Sequence, residues 1–466
     1  MTKVKSVWFC SACGNESPKW MGRCPACGEW NTMVEEQVRE KKNERGKSLL
    51  GKAEPEPVAL KDIATDNDRR IPAGDAEIER ILGGGIVPGS MILLAGEPGI
   101  GKSTLALQLP MHCRGLRTLY VSGEESPRQI KLRANRLMQQ EGVDGNAGEN
   151  CIILGETLLE NIVRHAREIS PDLLIIDSIQ TIYTDSMESS ASSVSQVREC
   201  ASGLLRFAKD SNTPVIVIGH ITKDGSIAGP KVLEHIVDAV LQFEGDTRHA
   251  YRVLRSIKNR FGSTSELAIF EMTDKGLRSV SNPSEILTPM RSGELSGAAV
   301  SATIDGNRPF LIEVQALVST AAYGTPQRTA TGFDSKRMNM LLAVLEKRAG
   351  FRLSAKDVFL NMAGGLRVSD PACDLAVIAS ILSSNFDIPL SPRTCFAAEV
   401  GLSGEIRPVA RIENRITEAE RLGYRKIFIS PYNLNENFRG KGKDCGIEII
   451  EVQHIPSLCR YLFNDR

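Results

Sequence analysis

This chain has no excess of either charge. Over 466 residues, 57 lysines and arginines balance 57 aspartates and glutamates, so attraction to a polyanion must come from local patches, not from an overall positive field. Long apolar runs are absent too. The longest, MILLAG, LLII and VIVIG, fall far short of the roughly 20 residues a membrane-spanning helix needs, and the opening MTKVKSVWFC has no apolar stretch of signal-peptide length. The expectation is a cytoplasmic protein with no membrane partner. Tryptophan is scarce, with three residues and none beyond Trp30. A disulfide framework is excluded by distribution: of 11 cysteines, four form one tight array and the others are scattered. A single ordinary core is excluded by length, which implies two or three domains.

What is present begins with that array. CSACGNESPKWMGRCPACG sets Cys10, Cys13, Cys24 and Cys27 as two CxxC pairs separated by ten residues. Two residues between thiolates let one turn aim both sulfurs at one ion, and Gly14 and Gly28 relieve the backbone after each pair. Two such turns complete a closed tetrahedral Zn2+ site of structural type. Trp8, Trp20 and Trp30 surround it, as expected where a segment too small for its own core packs large rings around a metal, although stacking on bases or on a partner is the alternative. The ribbon is expected over residues 1–34. A charged, then proline-rich tether follows over 35–59.

From about residue 60, short apolar strands alternate with helical segments. LLAGEPGIGKSTLALQ leads from a strand into Gly96, Glu97, Pro98, Gly99, Ile100, Gly101, Lys102, Ser103 and Thr104, then into an apolar helix. This is a phosphate-binding loop for ATP: backbone N–H groups close around phosphate oxygens, Lys102 neutralises the outer phosphates and Ser103 ligates Mg2+. ISPDLLIIDSIQT ends an apolar strand in Asp177, suited to the magnesium shell. TLYVSGEES ends another in Glu124 and Glu125, of which Glu124 is expected to orient the attacking water and Glu125 to cap the next helix. PVIVIGH ends in His220, a candidate sensor of the phosphates, before the flexible loop TKDGSIAGPK with Lys223 and Lys231, a candidate DNA contact.

The segment SIKNRFG sets Lys258 and Arg260 two apart at a strand end. Such a compact pair is suited to an anion. Gly83-Gly84-Gly85, the order Lys102, Glu124, Asp177, His220, and the strand pair that follows resemble the RecA-type motor core. Four-cysteine ribbon, core and KNRFG together resemble the bacterial RadA (Sms) family of recombination proteins along the whole chain. That resemblance implies a DNA-dependent ATPase that assists RecA-driven strand exchange by promoting branch migration. The partners it implies are single-stranded and branched DNA, the RecA recombinase, and further copies of the chain in a homohexameric ring. It also suggests that Lys258 and Arg260 reach a neighbour's outer phosphate as an arginine finger does. The competing readings are contact with DNA phosphates and a solvated strand end.

After SNPSEILTP the composition shifts. The core is expected over 60–284, and residues 285–466 read as a separate α/β domain in which GGLRVSDPACDLAVIAS and EVGLSGEIRPVARIENRITEAERLGY resemble the proteolytic domain of Lon proteases. That family uses a Ser–Lys pair, but Ala372 stands at the serine position and Glu413 about where the lysine should be; Ser369 and Arg411 lie nearby, and arginine stays protonated. The expected fold class is thus α/β: a zinc ribbon, a RecA-like P-loop core with a mostly parallel sheet, and a Lon-protease-like domain without peptidase chemistry. An ATP-dependent protease or unfoldase and an autophosphorylating RecA-like switch are the competing functions.

Overall fold

A computed structural model describes residues 4–10, 14–39, 59, 70–113, 115–139, 148–187, 189–220, 230–244, 250–288, 295–321, 325–433 and 446–463. The chain divides into two compact units, Met1–Ser279 and Val280–Arg466.

The first unit opens with a three-stranded antiparallel sheet in the order β2-β1-β3, made of β1 (Val4–Cys10), β2 (Glu16–Ser17) and β3 (Met33–Arg39). β3 pairs with β1 along its whole length, from Met33 opposite Cys10 to Arg39 opposite Val4. The ribbon therefore runs to Arg39, five residues into the expected tether, because the glutamate-rich stretch finds its partners in the first strand, far away in sequence.

A nine-stranded sheet forms the core of this unit. After α1 (Ala76–Leu82) come β4 (Met91–Gly96), α2 (Lys102–His112), β5 (Thr118–Ser122), α3 (Pro127–Leu137), β6 (Cys151–Gly155), α4 (Leu159–Ile169), β7 (Leu173–Asp177), α5 (Val194–Ser211), β8 (Val215–His220) and α6 (Pro230–Ile236). Then β9 (Ala239–Glu244), β10 (Tyr251–Asn259), β11 (Leu267–Thr273) and β12 (Gly276–Ser279) finish the sheet in the order β12-β11-β10-β9-β4-β8-β7-β5-β6. β9, β4, β8, β7, β5 and β6 are parallel, and β10 to β12 form an antiparallel meander. β4, β5 and β7 are buried at every position, as strands covered on both faces must be, hence their unbroken apolar runs. One apolar layer contains α1, α2 and α3, with Ile81, Leu107, Ile130 and Leu137. The other contains α4 and α5, with Ile162, Val197, Leu204 and Phe207.

The second unit is built on a seven-stranded mixed sheet in the order β15-β16-β14-β13-β17-β20-β21. Its elements are α7 (Pro283–Leu287), β13 (Ala298–Asp305), β14 (Arg308–Thr320), β15 (Arg328–Thr331), α8 (Ser335–Ala349), β16 (Lys356–Met362), α9 (Asp374–Phe386), β17 (Thr394–Ala397), β18 (Glu399–Val400), β19 (Ile406–Arg407), α10 (Ile412–Arg421), β20 (Lys426–Ile429), β21 (Glu448–Glu451) and α11 (Ile455–Phe463). α9 is apolar nearly all round and buried through its first ten residues, which marks it as the central helix of this unit. Ala372 is buried just before α9, whereas Ser369, Arg411 and Glu413 are exposed.

Candidate nucleotide site and metal-binding ribbon

The parallel strands end together. Ser122 of β5 pairs with Asp177 of β7, and Gly96 of β4 pairs with His220 of β8, so four strands deliver their carboxyl ends to one edge of the sheet, where open α/β sheets bind ligands. Gly96 closes β4, Ile100 is buried in the core, and Gly101 N-caps α2 with φ 118, a left-handed conformation that excludes most side chains. Pro98 and Gly99 are exposed, Glu97 is half-buried, and Ser103 and Thr104 lie half-buried in the first turn of α2.

Lys102 is buried, and its Nζ donates to the carbonyl oxygens of Gly96 and Glu97 at 2.9 Å each. Burial lowers its pKa to about 8 against the opposing pull of Asp177, Glu124 and Glu97. Phosphate oxygens would replace these neutral acceptors with anionic ones and hold the ammonium charged. The buried Asp177 accepts a 2.5 Å hydrogen bond from Tyr120 Oη. Burial, then Asp177, raises the Tyr120 pKa well above its ordinary value, so the phenol remains a donor. The Ser103 hydroxyl and the Asp177 carboxylate are hard oxygen donors of the type Mg2+ takes beside phosphates, so the donor set fits that ion.

The two glutamates have different surroundings. Glu124 Oε1 accepts from Ser178 Oγ at 2.5 Å and lies 3.3 Å from His220 Nε2. Glu125 pairs instead with Arg133 of α3. The helix cap expected of Glu125 belongs to Ser126, whose hydroxyl accepts from Gln129 N while Gln129 Oε1 accepts from Ser126 N. His220 Nδ1 is buried with no hydrogen-bond partner. The loop with Lys223 lies outside the described residues, and Lys231 falls on α6.

Lys258 and Arg260 sit elsewhere. Asn259 pairs with Ala239, which pairs with Ile92 near the start of β4. The cations therefore lie at the amino edge of β4, about 13 Å of strand from the loop edge. A register shift between Ser256 and Lys258 re-aims the strand there. Lys258 Nζ donates to Val237 O at 2.8 Å and to Glu234 O at 2.5 Å, and burial followed by repulsion from Arg260 lowers its pKa. Arg260 is exposed and reaches the buried Asp238 at 3.3 Å. Asp238 also accepts from Met91 N at 3.0 Å and Lys209 Nζ at 3.1 Å. Lys258 and Arg260 do not meet the phosphate loop of their own chain.

In the ribbon, the Sγ atoms of Cys10, Cys24 and Cys27 all lie within 4.8 Å of one another; Cys13 lies outside the described residues. The two turns are built alike: Gly14 N donates to Cys10 O at 2.8 Å and Gly28 N to Cys24 O at 2.9 Å, while Cys10 N donates to Asn15 O and Cys24 N to Glu29 O, both at 2.9 Å. Paired turns of this form fit a tetrahedral thiolate-held zinc. Trp8 packs on Cys10, Cys24 and Met33 as expected, but Trp20 and Trp30 are 55% and 68% exposed, so only one of the three rings fills the interior. Burial raises the thiol pKa values of Cys113, Cys151, Cys200, Cys373, Cys395 and Cys459, as suits inert interior thiols; Cys445 lies outside the described residues.

Tyr120, Ser178 and Asp238 escaped sequence reasoning. Tyr120 and Ser178 stand beside motif residues without belonging to a motif, and Asp238 is recognisable only once β4 and β10 are known to share an edge.

Residues 54–226 match the family described as AAA domain, residues 8–35 the rubredoxin metal binding domain, and residues 315–433 subunit ChlI of Mg-chelatase. The ribbon is thus a zinc-binding type, the core an ATP-binding domain of a hydrolysing family, and the C-terminal unit a ChlI/Lon-like domain. DNA repair protein RadA of Bacillus subtilis (strain 168) is 46% identical over 464 residues, which span 99% of each chain. Its namesake from Listeria monocytogenes serovar 1/2a is 48% identical over 444 residues, 94% of this chain and 95% of that one. The protein of that name from Streptococcus pyogenes serotype M6 is 45% identical over 466 residues, covering each in full. With agreement of this depth along the whole length, the chain belongs to the family of DNA repair protein RadA.

Proposed function

We propose that this protein is a DNA-dependent ATPase that processes recombination intermediates, promoting branch migration during RecA-mediated strand exchange, and that it works as a ring of copies, six by resemblance. Lys102 and Ser103 hold the triphosphate with Mg2+, Asp177 holds the metal shell, Glu124 orients the attacking water and His220 senses the outer phosphate. Bound Mg2+ supplies charge neutralisation at the phosphates.

One observation carries the assembly reading: Lys258 and Arg260 lie at the sheet edge opposite the loop. Stacking one copy's amino edge on the next copy's carboxyl edge brings the two halves together. Each site is then completed by a neighbour, and hydrolysis depends on assembly. The peptidase reading is disfavoured by the buried methyl of Ala372 and the exposed carboxylate of Glu413.

The test is ATP turnover with and without single-stranded and branched DNA, in the parent and in Lys102→Ala. DNA should raise turnover in the parent, and Lys102→Ala should have none. Turnover indifferent to DNA in the parent would overturn the reading, as would casein hydrolysis dependent on ATP. Movement of a branched junction in the presence of RecA tests the finer step.

A further inference from the structure

We propose that Trp20 and Trp30 form a stacking platform for bases of single-stranded DNA, a polynucleotide contact on the ribbon separate from the ATPase core. The ribbon's interior is closed without them: Trp8, Cys10, Cys24 and Met33 make up its cluster. The other two indoles stand more than half exposed. They face a shared notch. Cη2 of Trp20 lies 3.5 Å, and Cζ3 of Trp30 3.9 Å, from the point where a side chain on Gly22 would begin. Both six-membered rings thus border one gap that glycine leaves open.

The platform is held in place by the second cysteine turn. Arg23 and Trp30 are bridged antiparallel, Asn31 N donates to Gly22 O at 2.8 Å, and Arg23 Nε donates to Gly28 O at 2.8 Å. The Arg23 guanidinium lies 5.7 Å from the Trp30 ring centroid, within cation–π range. The Trp30 ring, held against Arg23 in this way, loses little freedom when a flat partner arrives, which favours stacking. The exposed charges within five residues of them are two cations, Lys19 and Arg23, and three acids, Glu16, Glu29 and Glu35, so the contact depends on ring stacking rather than on phosphate charge. Every base has a π-face, so the contact is tolerant of sequence, in keeping with a repair protein that meets arbitrary DNA.

The inference rests on DNA being a partner of this chain. Its test uses the fact that all three tryptophans are in the ribbon, so intrinsic emission reports this module without a label. The zinc-loaded full chain is titrated with end-labelled oligo(dT) and with an abasic strand of equal length. Label anisotropy gives binding, tryptophan emission gives ring contact, and DNA-stimulated turnover is read on the same preparation.

Oligo(dT) should quench the emission and the abasic strand should not. Affinity for oligo(dT) should fall about tenfold in Trp20→Ala and in Trp30→Ala, with most of it kept in the Trp→Phe variants. Equal zinc content per chain confirms that the variants fold. Bound oligo(dT) with unchanged emission, or equal quenching by the abasic strand, overturns the platform while leaving DNA-stimulated turnover standing. Absence of both binding and stimulation overturns the DNA reading along with it.

Discussion

Arg70 Nη2 donates to the carbonyl oxygen of Phe261 at 2.9 Å, joining two positions 191 residues apart. Its Nη1 donates to Leu82 O at 3.0 Å, so one guanidinium ties the KNRFG turn to the end of α1. Asn259 Nδ2 donates to Ile81 O at 3.2 Å, and Asn259 Oδ1 accepts from Phe261 N at 2.9 Å. Gly262 Cα stands 3.1 Å from where a Cβ on Gly83 would be, and Gly83 is left-handed at φ 80, so the close approach favours glycine there. Within the motif, asparagine and glycine build the turn, while Lys258 is tied to the carbonyls of Glu234 and Val237 and Arg260 stands exposed.

Arg70→Ala removes two charge-assisted hydrogen bonds and should destabilise the first unit by about 2 kcal/mol. Turnover should fall further than the loss of folded protein accounts for, because the two cations lose their aim. Scanning calorimetry and ATPase assays on one preparation check both. A variant with an unchanged melting temperature would show that Arg70 does not anchor the turn.

Completion of the site by a neighbour has its own signature. Lys102→Ala and Arg260→Ala should each abolish most turnover, by about 10³-fold for a finger-type contact, with nucleotide binding retained in the second. Mixing the two inactive proteins should restore partial activity, because some boundaries then pair an intact loop with an intact arginine. If Arg260 acts on DNA alone, its variant keeps basal turnover and mixing adds nothing.

Glu124 and Glu125 are adjacent in sequence and divergent in contacts. Glu124→Gln keeps the geometry around Ser178 and His220 but removes the charge, and should lower turnover by about 10²- to 10⁴-fold with nucleotide affinity little changed. Glu125→Gln should lose only the partly exposed pair with Arg133, worth about 1 kcal/mol at most, with turnover near that of the parent. Equal losses in the two variants would sink the assignment.

Features carried by a few neighbouring residues were legible in the sequence. The phosphate loop, the two CxxC pairs and the strand-ending Asp177 are local patterns whose spacing dictates their geometry. Relationships between distant segments were not legible. That Lys258 lies at the edge opposite Lys102 follows from β10 pairing with β9 and β9 with β4. The extension of β3 to Arg39 depends on pairing with residues some 30 positions earlier. Exposure of Trp20 and Trp30 was hidden because composition cannot tell which of three rings a small metal-centred module has room to bury.

Two residues from Ala372 and from Glu413 respectively, Asp370 and Arg415 form a closed ionic contact. Asp370 Oδ2 accepts from Arg415 Nη1 at 2.6 Å, Ile304 N at 2.8 Å and Thr303 Oγ1 at 3.0 Å, and its Oδ1 from Ala372 N at 3.1 Å. Burial alone would push this carboxyl upward, but Arg415 and the other donors outweigh it and hold the pKa below its ordinary value. A depressed carboxylate adds stability above its unfolded pKa of about 3.9, and that stability is lost as pH falls through the lower folded value. The pair therefore supports the second unit at neutral pH and releases it only in strong acid.

Arg415→Met leaves the aspartate buried without its cation and should cost about 3 to 5 kcal/mol at pH 7. The deficit should shrink as pH falls toward 5, because the stranded carboxyl, now raised, takes up a proton in the folded state. Adding Asp370→Asn to Arg415→Met should recover much of the loss. Calorimetric melting of the two variants and the parent between pH 4 and 7 checks the sign, and a loss that grows as pH falls from 7 to 5 would show that Asp370 is not the group left unpaired.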